Sequence, residues 1–254
     1  MSQVPNTASF GFDSSRRPPR RVGWWLPAVM VVGILLVLVA LLLPLVRTAG
    51  PAVRRAECVN NLREIGLALH NYVDAYGALP PAHTVDADGN PLHSWRTLIL
   101  PILGQSKLYE KIDLSKPWND EANAEAYKTV VNVFQCPASS APQGHTTYMA
   151  VVAPNGCFRL TEPRRFSEIT DGPSNTLMVI EVAPEHAAHW MAPVDADEAL
   201  ALGVGTKSEL AHPGRNALFC DGSVKFLSTA VSESTLRALF SIDGNDAPAW
   251  DSVR

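Results

Sequence analysis

VRRAECVNNLREIGLALHNYVDAY, residues Val53–Tyr76, places apolar side chains at Val53, Ala56, Val59, Leu62, Ile65, Leu69, Tyr72, Val73 and Tyr76. Steps of three and four put them on one stripe of an α-helix, since residues at that spacing share a helical face. Gly77 and Pro80 end the pattern, the first by permitting a left-handed cap and the second by lacking an N–H. A helix with such a stripe packs on a partner surface, which the remainder of the chain must supply.

Immediately upstream lies GWWLPAVMVVGILLVLVALLLPLV, Gly23–Val46, without a charged residue. As a helix it reaches about 35 Å, against about 30 Å for the hydrocarbon core of a bilayer. Its central Leu, Ile and Val each favour insertion, and no Asp, Lys or Arg opposes them. Pro27 and Pro44 sit near the ends, where a lost hydrogen bond costs least, and Trp24 and Trp25 suit an interfacial position. Arg16, Arg17, Arg20 and Arg21 precede the run and favour a cytoplasmic N-terminus, although Arg47, Arg54 and Arg55 follow it. A cleaved signal peptide is the competing reading, with an over-long apolar region and a poor small-residue site near Ala49. A buried core helix is the third. Residues 1–22, rich in Ser, Pro, Asn and Arg, read as a disordered cytoplasmic tail.

Beyond Val46 the chain holds 17 basic and 24 acidic residues, a net charge of −7. That balance disfavours a nucleic-acid partner. Its length allows one exported domain with a real core. Cys58, Cys136, Cys157 and Cys220 all fall on the exported side, where disulfides persist. Of three possible pairings, Cys58 with Cys136 and Cys157 with Cys220 is preferred, and the alternative is that at least two stay buried thiols. No C-x-x-C pair is present, which disfavours a zinc ribbon or thioredoxin-like site.

Downstream, ADGNP (Ala87–Pro91) reads as a turn, SWRTLILPIL as a short helix or apolar segment interrupted by Pro101, and Glu121–Val130 as a short helix. Strands are expected at Thr146–Val152, Asn175–Val182, Asn216–Phe219 and Ser223–Leu227. The last two form a hairpin about Asp221-Gly222. Ser232 caps a final helix presenting Leu236, Leu239 and Phe240, with Gly244 at its end. Helix first and antiparallel strands later make an α+β domain.

Five blocks, in order, resemble a bacterial family abundant in planctomycetes: prepilin-like proteins of unknown function with a C-terminal signature named H-X9-DG. They are CVNNLREIGLALHNYVDAYGALPP (Cys58–Pro81), SWRTLILPILGQSKLYEKIDLSKPWND (Ser94–Asp120), FQCPAS (Phe134–Ser139), ITDGPSNTLMVIE (Ile169–Glu181) and HPGRNALFCDGSVKFL (His212–Leu227). The resemblance spans roughly Arg54–Gly244. It implies a pilin-like architecture: a transmembrane helix (23–46) continuing into a protruding amphipathic helix (47–80) laid on the antiparallel sheet of an exported α+β domain (81–254), anchored in the inner membrane and facing the periplasm. The chain departs from the pilin leader, a Gly followed by Phe-Thr-Leu-Ile-Glu. Here RVGWWLPAVM (Arg21–Met30) has Gly23 but no acid five positions on, so the run is read as a permanent anchor.

His212 and Asp221 of the signature, with Asp171 and Glu181, form a candidate carboxylate-rich cation site. Asp171-Gly172 and Asp221-Gly222 are equally explained as turns, with His212 at a strand entry. Glu181, in an apolar strand, needs a partner such as His212 or Arg215. Asp86 and Asp88-Gly89 fail as an EF-hand loop because its twelfth position is Thr97. GVGTKS (Gly203–Ser208) lacks the Gly-Lys pair of a phosphate loop, and neither G-x-S-x-G nor H-E-x-x-H occurs. Trp95, Trp118 and Trp190 read as packing residues, with a glycan surface as the alternative. The expectation is a single-pass, non-enzymatic membrane protein without cofactor, acting in an envelope or secretion-related assembly. Its expected partners are the lipid bilayer and other pilin-like or envelope proteins. The alternatives are an anchored periplasmic module binding a glycan or cation and, more remotely, an envelope hydrolase.

Overall fold

The computed structural model describes residues 25–153, 155–203 and 214–244, without the side chains of 26, 38–49 and 51. The expected tail, His212 and most of GVGTKS lie outside these residues. The chain divides into two units, Met1–Ala49 and Gly50–Arg254.

Helix α1 runs Trp25–Tyr76, 52 residues. In the first unit, Val29–Val32 and Ile34–Val37 are each 50–67% exposed. Among the described residues no helix is long and apolar enough to cross a membrane. The expected anchor continues through residues whose side chains lie outside that description.

In the second unit, α1 buries Cys58, Leu62, Ile65, Ala68 and Leu69. The buried stripe thus begins a turn and a half later than its periodicity predicts: Val53 is 52% and Tyr76 68% exposed. Gly77, at φ +80°, ends the helix and donates its N–H to Val73 O. Strands β1 (His83–Val85) and β2 (Pro91–Ser94) form a short hairpin. In its turn, Asp86 Oδ1 accepts from the N–H groups of Asp88 and Asn90, so this acid folds the chain rather than exposing a ligand set. Ser94 then caps α2 (Trp95–Leu98) by accepting from Arg96 N. The expected apolar helix is only these four residues, because Pro101 follows one turn later. Helix α3 (Ser106–Tyr109) comes next, and the helix expected at 121–130 resolves into a 3₁₀ turn, Glu121–Asn123, and α4 (Ala124–Tyr127).

A two-stranded sheet pairs β3 (His145–Thr146) with a later β6 (Ala188–His189). The central sheet comprises β4 (Tyr148–Ala150), β5 (Leu177–Glu181), β7 (Gly214–Phe219) and β8 (Val224–Ser228) in the order β4-β5-β7-β8, all antiparallel. Helix α5 (Glu198–Leu202) precedes β7, and α6 (Glu233–Phe240) closes the fold. Ser232 accepts from Thr235 N as the expected cap, but α6 ends at Phe240, four residues before Gly244, where Ser241 takes an extended conformation.

Alternation along the strands separates two cores. Tyr148, Ala150, Met178 and Leu218 face α1 with Leu62, Ile65 and Leu69. Met149, Leu177, Ile180, Ala217 and Phe219 face Leu239 and Phe240 of α6. The sheet is therefore covered on both faces. This explains why LMVIE reads as an unbroken buried strand rather than an alternating one.

Candidate functional site

The Asp221-Gly222 hairpin forms where local chemistry predicts. Gly222 takes φ +80° and donates to Phe219 O, while Asp221 Oδ1 accepts from Ser223 N at 2.8 Å. The turn sits against α1: a Cβ on Gly66 would lie 2.8 Å from Leu218 Cδ1 and 3.7 Å from Gly222 Cα. A side chain at position 66 would displace Leu218 from this close approach of helix and hairpin.

The first Asp-Gly turn lies alongside. Asp221 N donates to Pro173 O and Cys220 N to Thr176 O. Asp171 Oδ2 accepts from Gly244 N at 2.7 Å, and Thr170 and Asp171 both donate their N–H groups to Ile242 O. The two turns are thus brought together, each carboxylate accepting backbone N–H groups. Glu181 is not with them. It pairs with Tyr148 at the far end of β5, whereas Leu177 at the near end pairs with Phe219; four residues of strand are about 13 Å. His212, the fourth member of the expected cation set, lies outside the described residues.

Glu181 occupies a different environment. It is 2% exposed; its Oε2 accepts from Asn216 Nδ2 at 2.8 Å, and its Oε1 has no hydrogen-bond partner among the described residues. Burial raises its pKa above the ordinary carboxylate range, opposed by the Asn216 hydrogen bonds and the nearby Arg55 charge. Its expected partner, Arg215, instead donates to Ala201 O. A folded-state pKa above the unfolded one means the native chain binds the proton more tightly. The resulting stability is complete below about pH 4.3, the unfolded value, and is lost as pH rises through the raised one. Glu181→Gln should therefore gain stability relative to the parent as pH goes from about 4.3 towards neutrality. Thermal denaturation of both proteins across that range checks this, and parallel curves would refute it.

Beside Glu181 the Cys58 and Cys136 sulfurs form a disulfide, the first of the expected pairings. One Glu181 oxygen and both sulfurs lie within 4.8 Å of one another. With the sulfurs bonded to each other, a single carboxylate is too small a donor set for a metal. The second expected pairing is corrected: Cys157 and Cys220 are buried thiols with their sulfurs 3.0 Å apart. Burial pushes the Cys220 thiol well up, so the thiolate that disulfide chemistry requires is suppressed.

A further buried constellation has no local sequence signature. Tyr148 O and Ala150 N point away from β5 at the open edge of β4. Arg96 Nη2 donates to Tyr148 O at 2.8 Å, Asp195 Oδ1 accepts from Ala150 N at 2.8 Å, and the two side chains pair with each other at 2.8 Å. Trp95 Nε1 donates to the same Asp195 oxygen. The ion pair thereby satisfies the backbone groups of a sheet edge that would otherwise be unpaired in the interior. Burial lowers the Arg96 pKa and raises that of Asp195, with the pairing opposing both shifts. Of the tryptophans, Trp95 and Trp190 lie in the core, which removes them from any glycan surface. Trp118 is half-buried and stacks on Tyr127 and His189.

A cleft of about 490 Å³ opens beside the disulfide, between α1, the 132–143 loop and β3. Its lining comes from α1 and, far along the chain, from residues 132–147, and no sequence spacing connects the two.

Neither the curated proteins nor the solved structures contain a match to this chain. One family profile matches residues 47–211, most of the chain, and stops short of the Asp221-Gly222 hairpin. Eight residues separate His212 from Asp221, one fewer than the signature's nine. The matched stretch contains both disulfide cysteines, the Arg96–Asp195 pair, the cleft and Glu181, and on it the chain belongs to the bacterial family described as protein of unknown function (DUF1559).

Proposed function

We propose that this protein is held at the inner membrane by residues 23–46, with its N-terminus in the cytoplasm and its α+β domain in the periplasm. There it serves as a pilin- or pseudopilin-like structural or interaction component of an envelope or secretion-related assembly, without enzymatic activity. The observation that carries the reading is the apolar surface of α1. Val29–Val32 and Ile34–Val37 are consecutive, so they cover every side of the helix, and each is at least half exposed. A helix apolar all round belongs in an apolar medium, and the run continues in sequence to Val46. A disulfide joining α1 to the 132–143 loop fits an oxidising compartment. The absence of an acidic residue at Ala28 supports permanent anchoring over filament entry.

Leu36→Arg tests this. An arginine near the centre of a spanning helix disfavours insertion by roughly 3 kcal/mol, so the variant should leave the carbonate-resistant membrane fraction. Unchanged fractionation would contradict the anchor. Crosslinking of the parent protein in intact cells should capture envelope proteins through α1 or the domain surface, and recovery of uncrosslinked monomer alone would count against the assembly role.

A further inference from the structure

Three metal-ligating side chains converge where α1 meets the sheet. Cys58 comes from α1, Cys136 from the 132–143 segment and Glu181 from β5, and one ligand atom of each lies within 4.8 Å of the other two. In the cross-linked chain the two sulfurs are bonded to each other. Opening that bond leaves two thiols and a carboxyl group facing one small volume, and thiolate sulfur with carboxylate oxygen is a donor combination that zinc accepts.

Glu181 is the residue that the fold alone does not explain. It is buried, its Oε2 accepts from Asn216 Nδ2, and its Oε1 has no partner among the described residues. Buried polar atoms are ordinarily satisfied, and a cation shared with the two sulfurs would complete the carboxylate. Charge and ligand type select the ion. Two thiolates and a carboxylate bring three negative charges, and Arg55 is the one cation acting on Glu181 among the described residues. A divalent ion closes this balance, whereas monovalent copper would leave a buried negative charge. Calcium and magnesium take oxygen ligands and are poorly served by sulfur. Cys136 lines the neighbouring cleft, through which a reductant, the ion and water reach the sulfurs.

We infer that the reduced form of this chain binds one Zn²⁺ through Cys58 Sγ, Cys136 Sγ and a Glu181 oxygen, with water from the cleft in the fourth position. A dithiol reductant gives two electrons and two protons to the Cys58–Cys136 bond and leaves as its own disulfide. Zn²⁺ then displaces both thiol protons and binds Glu181 as the carboxylate. Metal and disulfide are therefore mutually exclusive, and either one ties α1 to the 132–143 segment. The inference does not depend on the membrane anchor and fails separately from it.

The test uses the full-length chain in detergent, as isolated and after anaerobic reduction by a phosphine, titrated with Zn²⁺ against a chromophoric chelator. The reduced protein should take up one equivalent and the oxidised protein none. X-ray absorption at the zinc edge should show two sulfurs at about 2.3 Å. Glu181→Gln, which is expected to stabilise the domain near neutral pH, should weaken uptake about a hundredfold, because loss of a ligand costs at least as much as loss of its supporting group. Cys157→Ala with Cys220→Ala, shown to be folded by circular dichroism, should leave uptake unchanged. Failure of the reduced protein to bind would overturn the inference, as would equal uptake by the oxidised protein, which would place zinc on surface acids. Uptake lost from the folded Cys157 and Cys220 variant would assign the metal to the other thiol pair. Uptake indifferent to Glu181→Gln would remove the carboxylate from the site and overturn the inference with it.

Discussion

Arg96→Ala is expected to lower the unfolding free energy by about 3–5 kcal/mol, the usual consequence of stranding one member of a buried ion pair. Against a typical domain stability of about 5–15 kcal/mol, this is a large fraction of the total. The loss has several sources. Asp195, with its side chain 5% exposed, would lose the charge that offsets its desolvation, and Tyr148 O would lose both the Nε and Nη2 donors. Replacing both residues, Arg96→Met with Asp195→Leu, removes the stranded carboxyl group. It still leaves Tyr148 O, Ala150 N and Trp95 Nε1 unsatisfied, so the double variant should recover only part of the loss. Urea unfolding of the three proteins measures this. A loss below about 1 kcal/mol for Arg96→Ala, the scale of an exposed pair, would mean that the edge of β4 is held by something else.

The second large effect concerns Cys58 and Cys136. Their cross-link spans a sequence separation of 78 residues. Chain-entropy arguments give about 4.5 kcal/mol for a loop of that size, within the usual 2–5 for loss of a native disulfide. Cys58→Ala with Cys136→Ala should therefore be destabilised by that order and should lose the sensitivity of its Tm to reductant. Alkylation of the parent protein after denaturation, without reductant, should label only Cys157 and Cys220; with reductant, all four cysteines. Labelling of four without reductant would show the cross-link absent.

These two features mark the limit of what local sequence could reveal. The Asp221-Gly222 hairpin, the Ser232 cap and the stop at Gly77 were legible because each is decided within a few residues by a turn glycine or a capping hydroxyl. The stripe on α1 was legible from its period, though not where burial begins, since that depends on where the sheet ends. Arg96 gave no such signal: its partner is 99 residues away, and in sequence it is an ordinary surface-type arginine in a short apolar segment. The β1–β2 hairpin, of three and four residues with Pro91 at one edge, has no alternation to detect, and β3 and β6 are two residues each. The candidate acids were identified individually, but the alternation and register of β5 decided which shared a neighbourhood: Asp171 and Asp221 by their turns, Glu181 with the disulfide. The cleft was invisible because Asn61, Gln135 and Thr147 come together only once α1 lies on the sheet.

The close seat of the Asp221-Gly222 hairpin on Gly66 has a mechanical consequence. Leu218 fills the notch left by the missing Cβ, Arg55 lies over the Phe226 ring at 4.0 Å, and the Cys58–Cys136 bond pins the same stretch of helix covalently. Within the domain, α1 can neither slide along its axis nor roll without unseating one of these. Tension applied to the helix at Gly50 would thus be shared between a covalent tether and the side-chain contacts with β7 and β8. The disulfide would carry that tension from the helix straight into the 132–143 segment, so the helix would not peel from the sheet while the bond is intact.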